Sequence, residues 1–214
     1  MGIQGVLYVS LLGSFSMRYT GGGETRAITE QESTSRRMWT FLQYLFAFSK
    51  RSVTQDEVIE VLWGDSDISN PTNTLKTLLH RSRQVLESMG IPDGKEALRY
   101  RRGVYSWSPE LTLQVDADRF DHLCARFSPS PQSAEGLAAA AEAVELYKGD
   151  FLPTASGSPW AVSLRTYYHG RFLQLCCDAA GALQAAGRTE DAIGICRTAT
   201  TLDPYDEGCH LLLM

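Results

Sequence analysis

Residues 70–87, NPTNTLKTLLHRSRQVLE, constrain the chain more than any other stretch, because their apolar positions recur at helical spacing behind a clear start signal. Asn70 followed by Pro71 is an N-cap with proline at the first helical position, where its missing N–H costs nothing. At 100° per residue Leu75, Leu78, Leu79, Val85 and Leu86 fall in one stripe interrupted only by the small Ser82, which makes that stripe a core face. The opposite face collects Asn73, Thr77, His80 and Gln84, while Arg81 and Arg83 project to flanks about 160° apart. Amides, a hydroxyl and an imidazole along the middle suit base edges in a major groove, and an arginine on each side suits its phosphate walls. An ordinary amphipathic surface helix meets the same description, so the flanking segments decide.

Residues 6–19, VLYVSLLGSFSMRY, are rich in β-branched, aromatic and leucine residues with partial alternation, and Gly21-Gly22-Gly23 follows. This predicts two or more antiparallel strands and a turn. From Ser35 onward Met38, Phe41, Leu42 and Leu45 recur at helical spacing with Trp39 and Phe46 beside them, predicting a heavily buried helix that stops at Lys50-Arg51. Thr54 and Glu57 form a capping box for a short helix that carries Val58, Val61 and Leu62 and ends at Gly64. The polar connection Asp65 to Ser69 then leads into the helix at Asn70. After a turn region at Gly90 to Gly94, LRYRRGVYSW (Leu98 to Trp107) reads as a basic hairpin around Arg101-Arg102-Gly103.

Charge supports a nucleic-acid partner only when it is resolved along the chain. The whole carries −5, but residues 1–110 carry +1 and residues 111–214 carry −6. Within residues 70–102, Lys76, Arg81, Arg83, Lys95, Arg99, Arg101 and Arg102 outweigh Glu87, Asp93 and Glu96, a local excess of +4 on an acidic protein. A length of 214 residues holds two ordinary domains. No apolar run approaches the ~20 residues that span a bilayer, and no secretion signal opens the chain, so a cytoplasmic location without a membrane partner is expected.

Strands, three helices and a hairpin follow one another as in a winged helix, and residues 1–110 resemble the OmpR/PhoB-type DNA-binding domain. The resemblance runs through the N-terminal strands, VLWG (Val61 to Gly64), HRSRQVL (His80 to Leu86) and the wing RRGVYSW (Arg101 to Trp107). It implies that the third helix enters a major groove, that the wing carrying Arg101 and Arg102 reaches the adjacent minor groove, and that Trp63 lies near a phosphate. Lys76 joins Asn73, Thr77, His80, Arg81, Arg83 and Gln84 as a contact expected from the helix itself. The wing departs from the usual RGxGY pattern by lacking a second glycine before Tyr105.

The second half, residues 111–214, resembles the bacterial transcriptional activation domain that follows the winged helix in the Streptomyces antibiotic regulatory protein (SARP) family. The matched segments are VDADRF (Val115 to Phe120), LYKGDFL (Leu146 to Leu152), Trp160 to Arg165 and DPYDEGCHLLLM (Asp203 to Met214). Independently, residues 173–206 fit one tetratricopeptide unit, with Ala180, Ala192, Cys196 and Ala199 where two helices approach closely, Gly187 at the turn and Pro204 at the end. The expected fold is therefore two domains, an α+β winged helix-turn-helix and all-α tetratricopeptide-like helical hairpins. The family's activation domain continues past the position of Met214, which implies a longer natural protein, truncated here at its C-terminus; alternatively Leu211 to Met214 pack back on the preceding hairpin or on a second copy.

No phosphate loop, zinc-binding HExxH pair or GxSxG elbow occurs, so no enzyme activity and no cofactor are expected. The five cysteines lie in helical patterns without metal-ligand spacing and predict buried reduced thiols and no metal site. The reading that results is a sequence-specific DNA-binding transcriptional activator. Its partners are double-stranded DNA and, by resemblance, RNA polymerase, with a homodimer on repeated sites as a further expectation. A tetratricopeptide-like interaction scaffold whose winged helix does not bind DNA is the alternative.

Overall fold

The computed structural model describes residues 5–30, 36–64, 70–127, 134–155 and 157–213. The expected connection Asp65 to Ser69 lies outside them, as does Met214. The chain divides into two compact units, one formed by residues 1–11 and 15–115, the other by Leu12–Ser14 and residues 116–214.

In the first unit β1 (Val6–Ser10) pairs antiparallel with β2 (Ser16–Gly21), and β2 pairs antiparallel with β3 (Glu24–Thr29). Alternation buries Leu7, Val9, Met17 and Tyr19 on one face. Gly22 and Gly23, at φ 61° and 83°, form the two-residue turn between β2 and β3, a conformation that glycine adopts without a Cβ penalty. After the helices the chain returns as β7 (Thr112–Val115), parallel to β1, giving the order β3-β2-β1-β7. This strand carries the first unit to Val115 rather than to residue 110. Four residues are too short to announce a strand, and a parallel partner more than a hundred residues away leaves no local trace.

Helix α1 (Arg36–Ala47) is the core of the unit, with Met38, Trp39, Phe41, Leu42, Tyr44, Leu45 and Phe46 all buried. β4 (Val53–Thr54) leads into α2 (Gln55–Trp63), whose capping box forms as the sequence indicates: the Thr54 hydroxyl accepts from the Glu57 N–H, and the Glu57 carboxylate accepts from the Thr54 N–H at 2.7 Å. α3 (Pro71–Ser88) starts at the Asn70 cap, whose side-chain oxygen accepts from the Asn73 N–H at 3.0 Å. A short turn of helix, α4 (Gly94–Ala97), precedes the hairpin of β5 (Leu98–Arg101) and β6 (Val104–Trp107), and β4 joins β6 to make a sheet of order β4-β6-β5. The hairpin packs on α1 through aromatic contacts: Trp107 stacks on Phe46 with centroids 4.4 Å apart and donates its indole N–H to the Leu45 carbonyl, and Tyr105 meets Phe41 edge-on at 5.2 Å. This arrangement of helices and hairpin is a winged helix-turn-helix.

The second unit is all helical. α5 (Asp116–Arg126) buries Ala117, Phe120 and Leu123; α6 (Ala134–Leu146) presents Ala139, Ala140, Ala143 and Val144 to its neighbours. α7 (Pro159–Ala185) and α8 (Thr189–Leu202) form the hairpin that the tetratricopeptide spacing indicates, turning at Gly187 with φ 74° and closing over Ala180, Ala192, Cys196 and Ala199. α7 starts at Pro159, well before residue 173, so its first half packs outside that repeat. The LYKGDFL segment is held from within: Tyr147 stacks on Phe172 at 4.1 Å, Phe151 on Tyr168 at 5.4 Å, and Arg165 donates to the carbonyls of Phe151 and Leu152. α9 (Glu207–Leu212) buries Cys209 and leaves Leu211 66% and Leu212 38% exposed, so Leu211 does not pack back on the preceding hairpin.

Glu57 gives the first unit a defined response to acid. Its hydrogen bond with Arg51, at 2.8 Å, and then the Thr54 N–H hold its carboxyl down to about 2, from an ordinary value of 4.5. A depressed carboxylate contributes stability that is fully present above its unfolded value and is lost as pH falls through the folded one. Urea midpoints measured between pH 6 and about 2 are therefore expected to fall below roughly pH 4.5, and Glu57→Gln is expected to be less stable at neutral pH and to flatten that fall.

Candidate nucleic-acid interface

Building α3 from its sequence sorts its side chains in space. Leu75, Leu78, Leu79, Ser82 and Leu86 are buried and Val85 is half-buried, whereas Asn73, Lys76, Thr77, His80, Arg81 and Gln84 are exposed. The Thr77 hydroxyl donates to the Asn73 carbonyl at 3.3 Å and keeps its lone pairs free to accept. The side chains of Asn73, Lys76, His80, Arg81 and Gln84 make no hydrogen bond or ion pair to another described residue. Unpaired donors and acceptors in a row on one helix face are what a polar ligand needs.

Arg83 is the exception to the expected flank pair. It is half-buried, and its Nε and Nη2 both donate to the Leu98 carbonyl, at 3.0 and 2.8 Å. Burial pulls it below the ordinary arginine range, opposed by the charges of Asp93 and Glu87. Glu87, four residues on, does not pair with it but accepts from the Gly94 N–H at 3.1 Å. Arg83 thus fastens α3 to the first residue of β5. On the helical projection Lys76 occupies the flank that Arg83 vacates, opposite Arg81.

The wing is held at three points. Besides Arg83, the Gln55 backbone N–H donates to the Gly103 carbonyl at 2.8 Å, and the Gln55 side chain accepts from the Tyr100 hydroxyl while its amide donates to Thr72 at 3.4 Å. One residue at the start of α2 therefore touches the wing tip, the wing strand and the start of α3. Gly94 allows α3 and α4, the turn of helix that leads into the wing, to approach closely, since a Cβ there would lie 2.7 Å from the Arg83 carbonyl oxygen. Nothing in the sequence singles out Gln55, and Gly94 stands out there only as part of a turn.

At the wing tip Arg102 and Gly103 sit at φ 52° and 81° between paired Arg101 and Val104. Two positive φ values in a two-residue loop define a type I′ turn. Arg102 takes the place where this turn prefers asparagine or glycine, which explains how the hairpin closes without the second glycine of RGxGY. Arg101 and Arg102 are exposed and pair with no described residue, whereas Arg99 is paired with Glu96 at 2.8 Å. Trp63 is buried under the Arg37 guanidinium, 6.0 Å from its ring centroid, and its indole N–H has no acceptor among the described residues.

Comparison with known proteins fits this geometry. Residues 115–214 match the family described as the bacterial transcriptional activator domain. The Mycobacterium tuberculosis protein EmbR, solved in complex with a low affinity phosphopeptide, superposes with a TM-score of 0.75 at 20% identity, over 98% of this chain and 54% of that one. The chain thus spans about half the length of that structure and shares its fold. No curated protein matches the sequence.

Arg102→Asn is expected to raise the unfolding free energy of the first unit by about 0.5–1 kcal/mol, because asparagine tolerates the left-handed backbone that arginine resists. Gly94→Ala is expected to lower it by about 1–3 kcal/mol, since backbone must move to admit the methyl group. Denaturant titrations of the two variants check both signs.

Proposed function

We propose that this chain is a sequence-specific DNA-binding transcriptional activator of the SARP type, in which α3 reads a major groove and the wing meets the adjacent minor groove or backbone. The observation that carries the reading is the uncommitted row on α3: Asn73, Thr77, His80 and Gln84 along the middle, Lys76 and Arg81 at its margins, and Arg101 and Arg102 on a wing tied to the same helix. In this reading Asn73, Thr77, His80 and Gln84 discriminate bases, whereas Lys76, Arg81, Arg101 and Arg102 meet phosphates or minor-groove walls. Trp63 keeps its place near a phosphate beside α2 by resemblance alone, because its indole N–H is buried and meets DNA only if that end of α2 is uncovered. Arg83 acts as a positioning residue, setting the distance from helix to wing.

The activator domain supports a regulatory rather than catalytic role, and the helical unit is the surface proposed to contact RNA polymerase. A homodimer on repeated sites is part of the same reading, as is a cytoplasmic location. Among the described residues no helix is long and apolar enough to cross a membrane.

The test uses one duplex carrying a site selected by the chain and one random duplex. Alanine at Asn73, Thr77, His80 or Gln84 is expected to cost about 1–3 kcal/mol on the selected duplex and little on the random one, whereas Arg81→Ala weakens both. Equal losses on both duplexes for Asn73, Thr77, His80 and Gln84 would overturn the assignment. For the wing, removing a residue that neutralises one phosphate flattens the slope of log K against log salt by about 0.9, so the double variant Arg101→Ala/Arg102→Ala is expected to show a visibly shallower slope. An unchanged slope would remove the wing from the interface.

A further inference from the structure

The strongest feature outside the first unit joins α7 to α9. The Cys177 Sγ lies 3.4 Å from the Cys209 Sγ and 3.9 Å from Asp206 Oδ1, and one ligand atom from each of the three residues lies within 4.8 Å of the other two. Cys209 is fully buried and Cys177 half-buried, so the cluster is walled on one side and reachable from the other. Asp206 caps α9 by accepting the Cys209 N–H at 2.8 Å on Oδ1, which fixes the carboxylate and leaves Oδ2 outside the cap. Gly208 makes the approach possible: a Cβ at that position would stand 2.8 Å from the Cys177 Sγ. Two sulfurs and a carboxylate oxygen are thus brought together from two segments, with Cys177 29 residues before Asp206 and 32 before Cys209, which is why cysteine spacing alone gives no sign of them.

We propose that Cys177, Cys209 and Asp206 form a binding site for a thiophilic cation of the zinc(II) class. Two thiolates and one carboxylate are a borderline-soft donor set, and tetrahedral geometry with Zn–S near 2.3 Å places two sulfurs about 3.8 Å apart, within a small side-chain adjustment of the spacing present. The exposed side of Cys177 leaves room for water as the fourth ligand. Binding forms two Zn–S bonds and one Zn–O bond and releases the two thiol protons to solvent, so the cluster keeps its net charge of −1 while absorbing the divalent cation. Its three protein ligands come from two helices, so a bound cation pins α9 to the long helix α7.

The experiment titrates the reduced full chain with cobalt(II) and zinc(II) under anaerobic conditions. One equivalent of cobalt is expected to produce thiolate charge-transfer absorption, zinc to displace it, and zinc to raise the melting temperature of the protein. Cys177→Ser and Asp206→Asn are each expected to weaken zinc binding about tenfold or more, with Cys124→Ser unchanged. Asp206→Asn retains an acceptor for the helix cap, so its effect separates ligation from folding; circular dichroism of each variant confirms the fold. Absence of thiolate absorption, or cobalt binding that survives Cys177→Ser, would overturn the proposal. Isolation of the chain with a Cys177–Cys209 disulfide that forms in preference to metal binding would overturn it in favour of a redox pair.

Discussion

The two hydrogen bonds from Arg83 to the Leu98 carbonyl decide the shape of the first unit's polar face, because they fix where the wing begins relative to α3. A helix that reads a groove and a hairpin that reaches the next one must keep a set separation, and a planar guanidinium with two parallel donors holds it better than a flexible point charge. Gln55 closes the other end of the frame at Gly103 and Thr72. The cost is one basic group withdrawn from the exposed face of α3, and Lys76 stands on the flank it leaves. At the tip the frame tolerates a left-handed Arg102, local strain of about 1 kcal/mol that places charge at the end of the hairpin.

The second unit solves a related problem with the same chemistry. Arg165, on α7, donates to the carbonyls of Phe151 and Leu152 and so holds an irregular segment that no helix could satisfy. Around it two stacked pairs, Tyr147 with Phe172 and Phe151 with Tyr168, are bridged by Phe120, and together they supply burial beside alanine-rich α6. His169 lies between Asp150 at 3.4 Å and Asp203 at 3.0 Å, joining the same segment to the end of α8.

Local chemistry makes much of this legible in the sequence. The Asn70-Pro71 start, the Thr54–Glu57 box, the glycine turns and the helical burial pattern of α1 and α3 each depend on neighbours within four residues, and each is present in the structure. The hairpin Leu98 to Trp107 is legible for the same reason. Long-range partners are not: β7 pairs with β1, Arg83 with Leu98, Gln55 with Gly103, and Cys177 with Cys209. In the candidate interface the helical projection separates exposed from buried positions, but it does not tell an arginine on a flank that meets solvent from one that meets the next strand. Arg81 and Arg83 look equivalent on the projection, and tertiary packing makes them different.

Hydroxyl-radical footprinting of the purified 214-residue chain, on genomic fragments that it retains, tests most directly whether α3 and its wing form one DNA-reading frame. The expected result is a shared sequence among those fragments and a discrete footprint, with protected deoxyriboses along both walls of one major groove and in the minor groove beside it. Retention without a common sequence, or no footprint at all, would contradict a DNA-reading frame.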